Sequence, residues 1–332
     1  SISAAWALQR IIRSRTKAKA EVVYGGIIGR AENQSMVRLL GIEMLHINLI
    51  DKSDFDAYAL VDTQPGTGNN PLPEGITPHL VLDHHPENSA TAAAKFHDLR
   101  EDIGATATML HEYAVTAGIR IDARLATALF YGIKSETHNL GRGVTRADVD
   151  AYLELIQKVL KEVLSEIEHA PLTTAYFVML DRAIKGSTLH GPLVLSILGN
   201  VENPDMVSEC ADLMLRLEHI HHALTIGRFN GDLCLSYRTS DASVEAGQVL
   251  KSVVGRNGTA GGHAEMAGGI VDGHKKGGLG ATKAACRELG QRLIKKLRIK
   301  NGTQGAPLLK SPDTTPSQQV IRALLRNGTS DG

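Results

Sequence analysis

Residues 58–86 read YALVDTQPGTGNNPLPEGITPHLVLDHHP. Two short apolar runs, YALV at 58–61 and HLVL at 79–82, each end on an aspartate, Asp62 and Asp83. Runs of this length suit strands buried on both faces of a parallel sheet. In an open parallel sheet the carboxyl ends of neighbouring strands converge on one crevice, where ligands bind. Asp62 together with Asp83-His84-His85 therefore suggests a metal site of mixed oxygen and nitrogen donors. That mix suits Mn²⁺, Zn²⁺ or Fe²⁺ better than Ca²⁺. The competing reading is that Asp83 caps a turn before Pro86 and the histidines are solvated.

Outward from this stretch, the same alternation of short strands and helices continues. Residues 1–15 carry Trp6, Leu8, Ile11 and Ile12 at helical spacing. Strands are expected at 21–24 and 46–50, and helices at 33–40, 105–117, 122–132 and 145–169. In the last of these, Leu153, Ile156, Val159, Leu160, Val163, Leu164 and Ile167 form one apolar face, which Pro171 ends. That stripe reads as packing, in part against a second copy of the chain. One more helix is expected at 173–184, with a hinge at Gly186 and Gly191-Pro192. A second α/β pattern follows: a strand at 193–198, a helix at 206–222, a hairpin of 224–228 and 233–237 around Asn230-Gly231, and helices at 244–254 and 283–299. The fold class is α/β, a mostly parallel first domain and a smaller second one with a cleft between them. The expected boundaries are 1–170, a helical linker at 171–190, 191–300, and a tail at 301–332 with a short helix at 318–326.

The chain has 332 residues, enough for two domains of about 150 residues each. Lys+Arg and Asp+Glu are both 36, which argues against a protein that coats nucleic acid through a broad basic field. No apolar run approaches the ~18–20 residues that cross a bilayer, and no secretory signal opens the sequence. Cys210, Cys234 and Cys286 have no zinc-site spacing and read as small core residues. The cytoplasm is the expected compartment. His219, His221 and His222 read as the surface of the 206–222 helix.

Two further constellations carry chemistry. Residues 132–142, GIKSETHNLGR, follow a helical run and add an acid, Glu136; alone they would be a helix end with a polar turn. Residues 255–269, GRNGTAGGHAEMAGG, form a glycine-rich loop whose exposed N–H groups could cradle an anion. Arg256 and Arg238 could add charge-assisted bonds to it. A glycine-rich loop is weak evidence by itself; one containing a single histidine among small residues is more specific.

Together, VDTQP (61–65), LDHHP (82–86), GIKSETHNLGR (132–142) and GGHAEMAGG (261–269) resemble the DHH phosphoesterase superfamily, the last motif resembling its type-1 DHH-associated domain. The resemblance covers roughly residues 1–300 and lies in the order of all four motifs. It implies a hydrolase of the oligoribonuclease (nanoRNase-like) or cyclic-dinucleotide phosphodiesterase kind. Asp62 would bridge two metals, His84 would bind the second metal, and Asp83 would orient the histidine cluster. His85 would face the substrate phosphate, and Glu136 stands where the family usually has aspartate. Gly261, Gly262 and His263 would clamp the far end of the substrate, with Arg238, Arg256 and Arg142 as phosphate contacts. Arg142 reads equally as a helix-terminal ion pair. The family's first motif, a His and two aspartates, has no counterpart here, since Ser1–Ala5 reads as the helix that follows it.

The implied activity is hydrolysis of short nucleotides: an oligoribonucleotide, a dinucleotide or 3′-phosphoadenosine 5′-phosphate. The cofactor is Mn²⁺ in a two-metal site, or Mg²⁺ or another divalent ion. A net charge of zero fits a short substrate. Two alternatives remain. An inorganic pyrophosphatase would carry a different second-domain motif from GGHAEMAGG. A nucleotide-binding or regulatory protein without turnover would be consistent with the absent first motif and with Glu136.

Overall fold

The computed structural model describes residues 2–73, 75–141, 143–272, 279–299 and 305–309. The chain divides into two compact units, Ser1–Pro171 and Leu172–Gly332, of nearly equal length. No helix among the described residues is long and apolar enough to cross a membrane.

The first unit runs α1 (Ile2–Arg15), β1 (Val23–Tyr24), α2 (Ala31–Leu40), β2 (Leu45–His46), β3 (Ala59–Val61), β4 (Leu80–Asp83), β5 (Phe96–Leu99), α3 (Thr106–Thr116), α4 (Ala123–Glu136), α5 (Arg146–Leu155) and α6 (Lys161–Glu168). Its strands are all parallel, but they form two separate sheets, β1-β2 and β3-β4-β5. An apolar groove of about 510 Å³ lies along β1 and β3, lined by Ile12, Tyr24, Ile50, Phe55, Leu60 and Leu72 among others. The core is helical: Trp6 and Leu8, Met36 and Leu40, Met109 and Leu110, Leu129, Phe130 and Ile133 are buried together. Local chemistry sets the ends of these helices. Gly41 takes φ 57° to stop α2, with Ile42 N–H bonded back to the Val37 carbonyl. Asp122 caps α4 by accepting from Leu125 N–H.

Three sequence expectations change in this unit. The strand expected at 46–50 keeps only His46; Ile47–Leu49 is a 3₁₀ turn, because the His46 ring nitrogen accepts from Asn48 N–H. The helix expected over 145–169 is two helices. The Leu160 N–H bonds the Thr127 hydroxyl on α4 at 2.9 Å, which diverts the backbone from its own ladder. Both pieces still bury their apolar side, with Leu155, Leu164 and Ile167 in the core and Leu153 exposed. The third change is an addition: β5 pairs with β4, although the sequence FHDL shows no continuous apolar run.

The second unit runs α7 (Thr174–Gly186), β6 (Thr188–His190), β7 (Leu193–Asn200), α8 (Asp205–Met214), β8 (His222–Phe229), β9 (Asp232–Thr239), α9 (Ala246–Val254), β10 (Gly258–His263), β11 (Met266–Val271), α10 (Leu279–Lys296) and β12 (Ala306–Pro307). Seven strands form one sheet in the order β10-β11-β9-β8-β7-β6-β12. Only the β7–β8 pair is parallel. One face packs on α9 and α10 through Leu224, Ile226, Leu235, Tyr237, Leu250 and Leu293. The other packs on α7 and α8 through Met179, Val194, Leu198, Met206 and Cys210.

Here too the structure departs from expectation. The helix expected at 173–184 is α7, with Met179 and Ala183 in the unit's core, but the stretch expected as a hinge at Gly186 and Gly191-Pro192 is the end of α7 and a hairpin of β6 and β7, whose turn has Gly191 at φ 58°. The helix expected over 206–222 ends at Met214, so the three histidines share no helix. His222 opens β8, is buried, and shares its Nδ1 with the Tyr237 hydroxyl at 3.0 Å and the Thr239 hydroxyl at 2.9 Å. The expected tail contributes β12, which pairs with β6; residues 318–326 lie outside the described residues. All three cysteines are buried, and burial pushes Cys210 up to about 12 and Cys286 up to about 11, which fits core packing.

Candidate active site at the strand ends of the first unit

The parallel pairing of β3 with β4 places Val61 opposite Leu82, so the chain leaves both strands at one level. Asp62 follows immediately, its N–H bonded to the Leu82 carbonyl at 2.8 Å. Its backbone is left-handed, φ 63°, a conformation that costs a non-glycine residue of order 1–3 kcal/mol and concentrates at functional sites. The Thr106 hydroxyl, in the first turn of α3, donates to Asp62 Oδ1 at 2.6 Å. A carboxylate at that helix end is favoured by the dipole.

Asp83 is buried and fully engaged. Its Oδ1 accepts from His84 N–H at 2.9 Å and meets His85 Nδ1 at 2.8 Å. Its Oδ2 accepts from Gln64 Nε2 at 2.8 Å. Burial would raise the Asp83 carboxyl, but the His85 and Gln64 hydrogen bonds outweigh it and hold the group below its ordinary value. The same hydrogen bond raises His85 above its ordinary value, against the effect of burial, and the charges of Asp83, Asp62 and Glu136 add to the rise. Asp83 thus orients an imidazole and favours its charged form.

Gln64, which sequence reasoning passed over, is 1% exposed and holds this corner together. Its amide donates to Asp83 and to the Pro86 carbonyl, and its Oε1 accepts from Asn88 N–H and the Thr91 hydroxyl. Nothing in the periodicity of VDTQP marks this role, since every partner except Asp83 comes from the loop beyond β4.

His84 points the other way. Its Nδ1 meets the Ile103 carbonyl at 3.1 Å, so Nδ1 carries the proton. Its Nε2 is buried, makes no hydrogen bond and lies 3.5 Å from Asp62 Oδ1. An orphaned buried nitrogen is costly unless something binds it. Asp62, His84 and His85 each offer a donor atom within 4.8 Å of the others. Two imidazoles and a carboxylate, one nitrogen uncommitted, fit a divalent first-row cation.

Glu136 sits at the end of α4, half-buried and near enough for its charge to act on His85, but outside that three-residue group. The backbone after it takes left-handed values at His138, Asn139 and Leu140 in succession. Arg142 lies outside the described residues.

The remaining expected residues belong to the second unit. The glycine-rich segment is a β-hairpin rather than a loop: β10 and β11 pair from Gly258–Val271 to His263–Met266, closed by Ala264-Glu265. The register runs His263, Met266, Arg238 across one row and Gly261, Gly268, Ser236 across another. Arg238 is buried, with Nε on Asp212 at 2.5 Å and Nη1 on the Ser236 hydroxyl at 2.8 Å, so it ties the sheet to α8. A side chain built at Gly261 would meet no atom within 4 Å, so this part of the sheet is bare and open. Gly262 is the opposite, with φ +151° and backbone of β11 against it. Arg256 is exposed beyond the far end of β10, seven residues from His263 along the chain, and the structure does not bring the two together.

No family model matches the chain. An uncharacterized protein of Methanocaldococcus jannaschii is 31% identical over 260 residues, covering 78% of this chain and 53% of that protein. The chain therefore spans about half the length of the curated relative it matches. Among solved structures, an exopolyphosphatase-related protein from Bacteroides fragilis superposes with a TM-score of 0.69 at 13% identity, over 90% of each chain. That likeness establishes a shared α/β fold. A pGpG-specific phosphodiesterase from Vibrio also matches, over 82% of this chain and 100% of its own at 11% identity, but its TM-score of 0.34 bears no weight.

Proposed function

We propose that this protein is a metal-dependent phosphoesterase acting on short nucleotides. The observation that carries the reading is the strand-end cluster, in which His84 Nε2 is buried without a hydrogen bond beside Asp62 and His85. Asp62 and His84 would hold Mn²⁺ or a similar ion, with Glu136 as a further ligand. When bound, such an ion polarises a phosphoryl oxygen and makes water a better nucleophile near neutral pH. The chain's own residues do the rest. His85, held by Asp83 and favoured in its charged form, stabilises charge growing on the phosphoryl oxygens. Asp83, pinned by Gln64, keeps that imidazole in place through the reaction. In the second unit, the bare sheet at Gly261, two residues before His263, offers room for part of a nucleotide. A cytoplasmic location and a homodimer complete the reading.

A second reading, nucleotide binding without turnover, draws on the size of the cluster: among the described residues three side chains converge, enough for one ion rather than two. Both readings are tested together. Mn²⁺ titration followed by electron paramagnetic resonance is expected to show binding that Asp62→Ala and His84→Ala each weaken at least about tenfold. Hydrolysis of a short oligoribonucleotide with Mn²⁺ separates the two readings. Binding without cleavage selects the second, and equal Mn²⁺ affinity in wild type and His84→Ala overturns the site itself.

A further inference from the structure

We propose that Asp148, on α5, is a positioning residue for His84 and acts through a single peptide group. The inference rests on the reading of His84 as a metal ligand. Asp148 is fully buried, and both of its carboxylate oxygens accept hydrogen bonds. Its Oδ2 accepts from Gly104 N–H at 2.9 Å, from Thr145 N–H at 2.9 Å and from the Thr145 hydroxyl at 2.7 Å. Its Oδ1 accepts from the Thr108 hydroxyl at 2.5 Å. The Thr145 bonds are an ordinary capping box for α5. The Gly104 bond is not part of any cap, and it is the informative one.

Gly104 N–H and the Ile103 carbonyl belong to the same planar peptide. Asp148 binds one side of that plane, and His84 Nδ1–H binds the other. The carboxylate therefore fixes the orientation of the carbonyl that selects the His84 tautomer, and its charge strengthens the carbonyl as an acceptor. Glycine is required for the approach, since a side chain at Gly104 would lie 2.9 Å from Asp148 Oδ2 and 2.8 Å from the Gly143 carbonyl. If the peptide turns away, Nδ1 loses its acceptor. The proton then favours Nε2, which lies 3.5 Å from Asp62 Oδ1, a carboxylate oxygen that can accept a second bond beside that from Thr106. That tautomer carries its lone pair on Nδ1 and leaves none on Nε2, the nitrogen that faces Asp62. Asp148 is thus expected to keep Nε2 available from a position that never touches the site.

The test uses the full chain in two measurements. Two-bond ¹H–¹⁵N correlation of ¹⁵N-histidine-labelled, metal-free protein reads the tautomer of each of the 14 histidines, with His84 assigned by comparison with His84→Gln. Mn²⁺ titration reads affinity. In Asp148→Ala, His84 is expected to move from the Nδ1–H to the Nε2–H form and Mn²⁺ affinity to fall about tenfold. Asp148→Asn, whose carbonyl can take the place of Oδ2 while its amide faces the Thr108 hydroxyl, is expected to restore the Nδ1–H form and most of the affinity. If Asp148→Ala does not fold, Asp148→Ser, which keeps a hydroxyl for the cap and gives up the Gly104 bond, reads the same tautomer. Thr145→Ala is the structural control: it lowers Tm through the lost cap and leaves tautomer and affinity unchanged. An unmoved tautomer in Asp148→Ala overturns the proposal. A tautomer that moves in a protein whose wild type binds no Mn²⁺ overturns the metal reading and leaves the positioning role standing.

Discussion

His85→Ala lowers kcat on a short oligoribonucleotide, assayed with Mn²⁺, by about 10²–10³-fold, with little change in KM. The size follows from preorganisation. Asp83 is 1% exposed and bonded on both oxygens, so the imidazole it holds is not free to swing toward solvent and back during the reaction. A charged donor already in place meets developing phosphoryl charge without reorganisation, and in a partly dry site that is worth far more than in water. Gln64→Ala is expected to move kcat the same way by a smaller factor, since it loosens Asp83 without removing the imidazole. Unchanged kcat in His85→Ala removes His85 from the chemistry. A rise in KM alone makes it a ground-state contact instead.

How much of this was legible in the sequence follows from where each signal lies. Asp62 and Asp83 were legible because each ends a short apolar run, and parallel pairing of those runs brings the two chain exits together. His84 and His85 were legible as a pair but not in their division of labour, because only the fold sends one Nδ1 to Ile103 and the other to Asp83. Gln64 and Asp148 were not legible. Their value lies in hydrogen bonds to residues 19–44 positions away, and no periodicity encodes those. The single helix expected over 145–169 divides for the same reason, since the break comes from Thr127, 33 positions back. Arg238 was read from its place among motifs as a substrate contact; its burial against Asp212 depends on α8 lying over β9. The glycine-rich segment was read as a loop because glycine is disfavoured in strands. Pairing with β9 overrides that preference, and close approach explains part of the glycine content.

That last point separates the two adjacent glycines of GGHAEMAGG and yields opposite expectations for them. Gly262 has φ +151°, and a Cβ there would lie 2.2 Å from the Met266 carbonyl oxygen and 2.5 Å from Ala267 Cα. Both are backbone atoms of the paired strand, so neither can yield without opening the hairpin. α9 adds a second constraint, since a Cβ at Gly247 would lie 2.4 Å from the Gly262 carbonyl oxygen. Backbone strain and overpacking each cost about 1–3 kcal/mol. Gly262→Ala should therefore destabilise the second unit by about 3 kcal/mol or more. For a unit of this size that lowers its melting transition by roughly 6–12 °C. Because the two units need not unfold together, amide exchange in β10 and β11 is the more specific readout. Gly261→Ala adds the same methyl group one residue earlier, on the open face with nothing within 4 Å. Its stability should be unchanged or slightly improved, as expected when a glycine with an accessible backbone conformation becomes alanine. A nucleotide bound on the bare sheet would meet that methyl group, so Gly261→Ala raises KM by filling that space while kcat holds. Equal loss of stability in the two variants would contradict the packing assigned to Gly262. A silent Gly261→Ala, in both stability and KM, would leave the hairpin's glycines to the fold alone.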